Sequence, residues 1–476
     1  MAKHPRRRDF IRGVAGALAG AAATRRVQAA VDRRPNVLFV IADDQRSDTI
    51  AALGNQHIST PTLDTLVSGG CAFTRARNMG AQVGAVCIAA RAMIHTGRSL
   101  FRAPHQPPAS MPTMAGTFRA AGYHTFGCGK WHNGTRPFVR GFASGGNIFF
   151  GGMNANQYRC RVHDFDPTGA YAPDKEKSAS KFSSELYADA AVEFLTGYKE
   201  ATPFFAYLAF TSPHDPRTPP GEFSTMYGPA SIPLPDNFLP EHPFDNGDMR
   251  IRDEMLAPFP RTPADTQKQL ADYYGMVGSQ DQQLSRVVQA LQNSGRADNT
   301  VIVYTGDHGL AIGSHGLFGK QNVYEHSVGV PLIFHGPGVA AGARFDPLVY
   351  GFDIFPTLCQ LTGVDPPPNI EGHSLLDVMR GKAQGVRDAA FHAYIRPSLK
   401  GSRPHVQHAV NDGRWKFIRY DVDGQQTRQL FDLQHDPFEM HNRVQDSAAM
   451  SDLYRLEKRL TQMQNDLDEP FEWRRP

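Results

Sequence analysis

Long apolar runs are scarce in this chain. The longest lies within the first 30 residues and reaches about half of the ~20 residues a membrane-spanning helix needs, and no later segment is long and apolar enough to span a bilayer. Membrane insertion is therefore not expected. Cysteine is also sparse. Cys71, Cys87, Cys128, Cys160 and Cys359 are scattered and none forms a C-x-x-C pair, which excludes a disulfide framework, although one pair could still be oxidised in an oxidising compartment. Charge of one sign is missing as well. The formal net charge is +3, but Lys3, Arg6, Arg7, Arg8, Arg12, Arg25 and Arg26 against Asp9 place +6 in the first 30 residues and leave about −3 for the rest. Without a global basic field, nucleic acid and acidic lipid are not expected partners. What remains is ordinary globular composition over 476 residues, enough for one large α/β domain and a smaller one.

The basic residues stand where an export signal holds them. Arg7-Arg8-Asp9-Phe10-Ile11 resembles the twin-arginine pattern, a Gly/Ala/Leu/Val stretch follows, and Val27-Gln28-Ala29-Ala30 offers small residues for cleavage. Residues 1–30 are thus expected to be a twin-arginine-type signal peptide, and the mature chain to be periplasmic or secreted. Such substrates are exported already folded, which fits modification in the cytoplasm beforehand.

Four short apolar runs, 36–42, 203–210, 300–305 and 331–335, have the branched-residue content of buried parallel strands. Helical patterns at 60–68, 111–121, 183–197 and 266–294 separate them. Alternation of this kind predicts an α/β sheet flanked by helices, with its ligand crevice beyond the carboxyl ends of the strands. Two irregular stretches rich in Gly, Pro and Asn, 137–180 and 213–263, are long enough to wall a substrate pocket. After about Gly381 the pattern changes. Strands at 415–420 and 429–433, joined by a turn at 422–426, and an amphipathic helix at 450–467 predict a small C-terminal antiparallel subdomain. The expected division is 1–30 signal, 31–380 catalytic α/β domain and 381–476 C-terminal subdomain.

Chemistry-bearing residues gather at the strand ends. Asp43-Asp44 closes the first strand; two adjacent carboxylates repel and call for a cation, though such a pair is also common in a solvated loop. Asp307-His308, flanked by Gly306 and Gly309, closes the third. Oxygens from Asp43, Asp44 and Asp307 suit calcium or magnesium, with an imidazole to complete the shell; zinc stays open on chemistry alone. Cys87-Ile88-Ala89-Ala90-Arg91 would by itself be read as a buried structural thiol.

Taken in order, these motifs resemble the type I, formylglycine-dependent sulfatase family of the alkaline phosphatase-like superfamily. Asp43-Asp44, the C-x-[P/A]-x-R core at Cys87 to Arg91, Gly122-Tyr123-His124-Thr125-Phe126-Gly127-Cys128-Gly129-Lys130-Trp131-His132, Ser212-Pro213-His214, Asp307-His308-Gly309, Gly316-Leu317-Phe318-Gly319-Lys320 and the run from Leu430 to Glu439 carry the resemblance over most of the mature chain. It implies a large mixed, mostly parallel sheet flanked by helices, with a small C-terminal antiparallel sheet. It also implies that Cys87 becomes formylglycine through a formylglycine-generating enzyme. Asp43, Asp44, Asp307, His308 and the modified residue 87 would hold one calcium ion. Arg91 would hold the hydrated aldehyde, Lys130 and Lys320 would clamp sulfate, His132 would assist sulfate release, and His214 would protonate the leaving oxygen.

The sequence departs from the commonest pattern in Ala89, where proline is usual, in the bulkier Ile88, and in Asp-His at the second metal pair; the family also shows the first and last of these variants. Cys128 is expected close to the pocket, and His95, His315 and His326 to be structural or pocket residues. The implied substrate is a sulfated glycan or a small sulfate ester. The alternatives are a formylglycine-dependent phosphonate or phosphate ester hydrolase and a catalytically silent carbohydrate-binding relative.

Overall fold

Asn36–Asp43 forms a strand, β1, in which every residue is buried. Its alternate side chains enter two different cores, as the twofold period of a strand requires. Val37, Phe39 and Ile41 pack with Phe118, Trp131 and Phe355, whereas Leu38, Val40 and Ala42 pack with Leu186, Leu284 and Leu291. A strand covered on both faces is the centre of a three-layer α/β architecture. The computed structural model describes residues 34–396 and 403–471, so the expected signal at 1–30 lies outside the described residues.

Apart from the two-residue strand Gly80–Ala81, the other strands of the two larger sheets are β2 (Cys71–Phe73), β3 (His124–Lys130), β4 (Ser144–Phe149), β5 (Phe204–Pro213), β6 (Thr300–Gly306), β7 (Leu332–His335), β8 (Ala343–Phe345), β9 (Ala390–Arg396), β10 (His405–Asn411), β11 (Trp415–Val422) and β12 (Gln425–Asp432). The longer helices are α1 (Pro61–Gly69), α2 (Val86–Thr96), α3 (Met114–Ala120), α4 (Thr135–Gly141), α5 (Ser183–Gly197), α6 (Pro263–Asn293), α7 (Ile354–Thr362) and α8 (Met450–Asp466). The first eight strands make one sheet in the order β8-β2-β7-β6-β1-β5-β3-β4. Pairing is parallel from β6 through β1, β5 and β3 to β4.

The run at 331–335 departs from expectation in direction. As β7 it pairs antiparallel with both β6 and β2. The connection leaving β6 does not cross the sheet on a helix; it stays at the carboxyl end, where it carries Asp307, His308 and Lys320, so the next strand can only run back.

Two elements hold the site in place without having been expected as regular structure. The helix α2 forms from a run of alanines, methionine and isoleucine with good helix propensity, and it ends at Gly97, whose φ of 66° lets its N–H close on the Met93 carbonyl. The strand β3 is rich in glycine because it must be. Its pairing with β4 shifts register between Cys128 and Gly129, and Gly129 has φ +81°. A Cβ there would meet the Ala209 carbonyl oxygen at 1.8 Å. This bulge re-aims the strand end that carries Lys130. Cys128, expected near the pocket, instead packs in the core beside Leu208 and Tyr187, because it precedes the bulge. All five cysteines are buried and unpaired.

The C-terminal strands form an antiparallel sheet, β12-β11-β10-β9, extended by the two-residue strand Gly80–Ala81 parallel to β9. Leu453, Leu456 and Leu460 of α8 join Phe417 and Ile418 in its core. A buried ion cluster ties this sheet to the loop after β6. Lys416 Nζ lies 3.0 Å from Glu325 Oε1 and 2.7 Å from Glu439 Oε1, and Arg77 Nη2 lies 2.6 Å from Glu325 Oε2.

Gly129→Ala meets both a left-handed backbone and a carbonyl wall. It should lower stability by more than about 1 kcal/mol, read as a fall in the urea midpoint, and should reduce activity because Lys130 moves with it. An unchanged midpoint would show that the bulge accepts a side chain.

Candidate active site

The polar residues converge where the parallel strands end. Asp43 is the last residue of β1, and Asp44, with φ 66°, turns the chain off the sheet. Lys130 closes β3, His214 follows β5, and Asp307 and His308 follow β6. Cys87 lies in the first turn of α2 and Arg91 one turn later, so both point the same way. Lys320 arrives from the loop after β6. All ten residues expected at the site are brought together; nine are buried and His132 is half-buried at the cleft.

Arg91 is the scaffold of the floor. Its Nε donates to Asp307 Oδ2 at 2.9 Å, and its Nη1 donates to the Lys130 carbonyl at 2.9 Å and to the Tyr207 hydroxyl at 3.1 Å. Its Nη2 has no hydrogen-bond partner among the described residues and lies 3.9 Å from Asp43 Oδ1. Lys130 Nζ donates to Asp43 Oδ2 at 2.6 Å, and Lys320 Nζ to Asp44 Oδ1 at 2.8 Å. Cys87 Sγ is 3.3 Å from His132 Nδ1. His214 Nδ1 lies 2.8 Å from the Asp215 carbonyl oxygen and 3.2 Å from Asp215 Oδ1. Its Nε2 faces Asp44 Oδ2 at 3.8 Å.

These placements set the charges. Burial opposes ionisation of Asp44 and Asp307, yet His214, Lys320 and His308 hold Asp44 well below the usual carboxylate range, and His308, Arg91 and Lys130 do the same for Asp307. Asp43 is pushed upward, by burial first and then by the neighbouring acids, against the pull of Lys130. Burial also opposes the Cys87 thiolate, but Lys130, His132, His308 and Lys320 bring the thiol well below its ordinary value, so position 87 favours negative charge. Burial disfavours the His308 cation, but Asp307 and Asp44 lift it to about 9. Burial holds His214 down to about 3.

Asp43, Asp44, Asp307 and His308 each offer a donor atom, all within 4.8 Å of one another. The His308 Nδ1–H donates to the Gly309 carbonyl at 2.9 Å, which leaves Nε2 turned toward the acids. That Nε2 and Asp43 Oδ1 are buried without a hydrogen-bond partner among the described residues. Leaving such atoms unsatisfied costs about 1–3 kcal/mol each. A divalent cation among three carboxylates and an imidazole would satisfy both, so the residues present fit one. Asp44, His214 and Asp215 also converge, but Arg252 occupies the Asp215 carboxylate.

Above this floor opens a cleft of about 680 Å³. Gly152 and Met153 from the first irregular stretch, and Ile251, Arg252 and Asp253 from the second, form its walls, as expected of those stretches. Tyr394 and Arg396 of β9 also reach it. Those two, Arg252 and the Arg91 partner Tyr207 were not anticipated from sequence. An arginine preceding a Pro-rich loop, or a tyrosine within a strand, carries no local signal of where it will point. His95 is structural: its ring packs against Trp131 with centroids 4.4 Å apart, tilted by 35°, and burial keeps it neutral, down to about 3. His315 is likewise buried, stacked on Tyr324 at 4.0 Å.

The family model described as Sulfatase matches residues 35–364, well over half of the chain. The chain belongs to the sulfatase family. A second model, described as N-sulphoglucosamine sulphohydrolase, C-terminal, matches residues 313–466 of this sulfatase. An arylsulfatase of Clostridium perfringens (strain 13 / Type A) is 26% identical, over 86% of this chain and 90% of its own. An N-acetylglucosamine-6-O-sulfatase of Bacteroides thetaiotaomicron is 25% identical, over 86% and 82%. The fold is shared with a solved structure in complex with its substrate D-glucosamine-2-N,6-O-disulfate, with a TM-score of 0.76 at 23% identity over 92% of this chain and 99% of that one. This sulfatase is thus an enzyme of the alkaline phosphatase-like superfamily that hydrolyses sulfate esters. Among the described residues no helix is long and apolar enough to cross a membrane.

The acid cluster predicts a metal-linked stability. After chelation, calcium at about a hundredfold excess over its Kd should stabilise the fold by about 2.7 kcal/mol, seen as a rise in the denaturation midpoint. Asp307→Asn should lose most of that rise. A wild-type midpoint indifferent to calcium would remove the metal from these four residues.

Proposed function

We propose that this sulfatase removes sulfate from a sulfated carbohydrate, using formylglycine made from Cys87 and one calcium ion held by Asp43, Asp44, Asp307, His308 and the modified residue 87. The observation that carries the reading is Cys87 itself: a side chain on the first turn of a helix, at the floor of a cleft, ringed by Lys130, His132, His308 and Lys320. The family membership and the sugar named for one relative support it. Conversion of the thiol by a formylglycine-generating enzyme belongs before export, with residues 1–30 directing the folded chain to the periplasm or beyond. Residues 31–380 then form the catalytic part and 381–476 the C-terminal subdomain.

The overall reaction takes R–O–SO₃⁻ and water to the alcohol and hydrogen sulfate. Formylglycine supplies, when hydrated, one hydroxyl to attack sulfur and a second whose lost proton lets sulfate go. Calcium, held by Asp43, Asp44, Asp307, His308 and residue 87, would supply a concentrated positive charge at the sulfate end of the cleft. The remaining work falls to the chain's own groups. Arg91, anchored through Nε and Nη1, would hold the residue-87 oxygens with Nη2, which makes no hydrogen bond among the described residues and lies 3.9 Å from Asp43 Oδ1. Lys130 and Lys320 hold sulfate oxygens as charge grows on them, in a site already organised to receive it. His132, beside position 87, takes the proton whose loss releases sulfate. His214 keeps Nδ1–H on the Asp215 carbonyl and presents Nε2 to the leaving oxygen. The charge of bound sulfate favours the imidazolium that burial otherwise disfavours, so the proton is available when the ester is in place.

Two measurements test this. Cys87→Ala should fold normally and lose all but about a hundredth of its activity at most, and the intact mass of wild type should show an aldehyde in place of the thiol. Retained activity or an unmodified thiol in active enzyme would end the formylglycine reading. His214→Ala should damage hydrolysis of a sugar sulfate at least ~100-fold more than that of nitrophenyl sulfate, because a sugar alkoxide needs a proton and a nitrophenolate scarcely does. Equal losses in kcat/KM on the two esters would move the proton donor elsewhere.

A further inference from the structure

The cleft is apolar over much of its wall, yet two guanidinium groups stand in it. Arg252 and Arg396 have side chains 47% and 32% exposed, and the acids that hold them, Asp215, Asp253 and Asp248, are only 6%, 11% and 2% exposed. The carboxylates lie behind and the cations in front. Each acid fixes an arginine without masking it from the cleft.

Arg396 is the freer of the two. Among the described residues only its Nη1 is engaged, donating to the Gly247 carbonyl at 2.9 Å and to Asp248 Oδ1 at 2.7 Å. Its Nη2 and Nε make no hydrogen bond with the described residues. It stands at the end of β9 two positions after Tyr394, on the same face, and both line the cleft. Arg252 is clamped by Asp215 and by Asp253, at 2.6 Å to the latter. Asp215 also touches His214, so this anchor is shared with the reacting end of the cleft.

At the floor, Lys130 and Lys320 are the cations assigned to sulfate beside the anchored Arg91, and one sulfate monoester carries one negative charge for them. A planar guanidinium with an open Nε/Nη2 edge, held by a buried acid, matches a carboxylate or a second sulfate in bidentate geometry. We propose that Arg396, with Arg252 beside it, binds a second anionic group on the organic part of the ester, so that the preferred substrate is a sulfated sugar carrying a further carboxylate or sulfate. This rests on the sulfate-ester reading above and narrows it.

The test compares pairs of substrates that differ only in the second anion: a sulfated hexosamine with an N-sulfate against its N-acetyl counterpart, and a sulfated uronic acid against its carboxyl-reduced form. Wild type should prefer the dianionic member of at least one pair by about 10- to 100-fold in kcat/KM, chiefly through KM, and the preference should shrink with added salt. Arg396→Gln should collapse the ratio toward one, and Arg396→Lys should restore part of it. Calorimetry with Cys87→Ala reads binding of the same pairs without turnover, with Arg396 intact or changed to Gln. No preference in any pair by either method, or a preference that survives Arg396→Gln, overturns the proposal. Hydrolysis of none of the esters, with the binding preference intact, would instead fault the catalytic reading and leave the second-anion site standing.

Discussion

Asp43, Asp44, Asp307, Arg91, Lys130 and Lys320 put six formal charges into one buried crevice. Each loses several kcal/mol of hydration on burial, and their mutual attraction offsets that only when the geometry is close. The contacts of 2.6 Å for Lys130 with Asp43, 2.8 Å for Lys320 with Asp44 and 2.9 Å for Arg91 with Asp307 meet this condition. Such distances cannot be held by loops alone. Four of the six residues stand at or beside the ends of the parallel strands β1, β3 and β6, and a fifth on the helix α2. The sheet, the bulge at Gly129 and the Ala-rich helix are the mechanical condition for the charges to coexist.

These three acids and three cations balance one another, as the His308 cation and the negative charge favoured at position 87 do, but not atom by atom. Asp43 Oδ1, His308 Nε2 and Arg91 Nη2 remain unsatisfied. The first two lie among the possible metal donors, and the third belongs to a side chain whose other nitrogens are engaged. The fold therefore holds these groups ready for partners outside the polypeptide. A site organised before its ligands arrive spends little reorganisation at the moment of reaction, which is where electrostatic catalysis draws its strength. One turn further out the same device recurs: buried acids fix arginines whose faces are left to the cleft.

The C-terminal sheet serves the site directly. Lys416 from β11 joins Glu325, on the loop that follows β6 and carries Asp307 and Lys320, to Glu439. Tyr394 and Arg396 of β9 enter the cleft wall. The short strand Gly80–Ala81, only a few residues before Cys87, extends this sheet. A displacement of the C-terminal part would be felt on two sides of the cleft.

The sequence by itself determined the α/β alternation, the four apolar strands and the ten polar residues of the site, because hydrophobic period and motif order are local properties. It could not determine that β7 runs antiparallel, since direction depends on whether the preceding connection crosses the sheet. It did not reveal β3 or β9, whose residues become strand-like only once neighbours cover them. Cys87 and Arg91 were legible as a motif, but their common direction is a property of the helix α2. Only the tertiary structure decided that Tyr207 braces Arg91, and that Arg252 and Arg396 face the cleft above Cys87. Where a long side chain ends is set by the partners that bury it, and apart from Asp253, next to Arg252 in sequence, those partners lie tens to more than a hundred residues away in the chain.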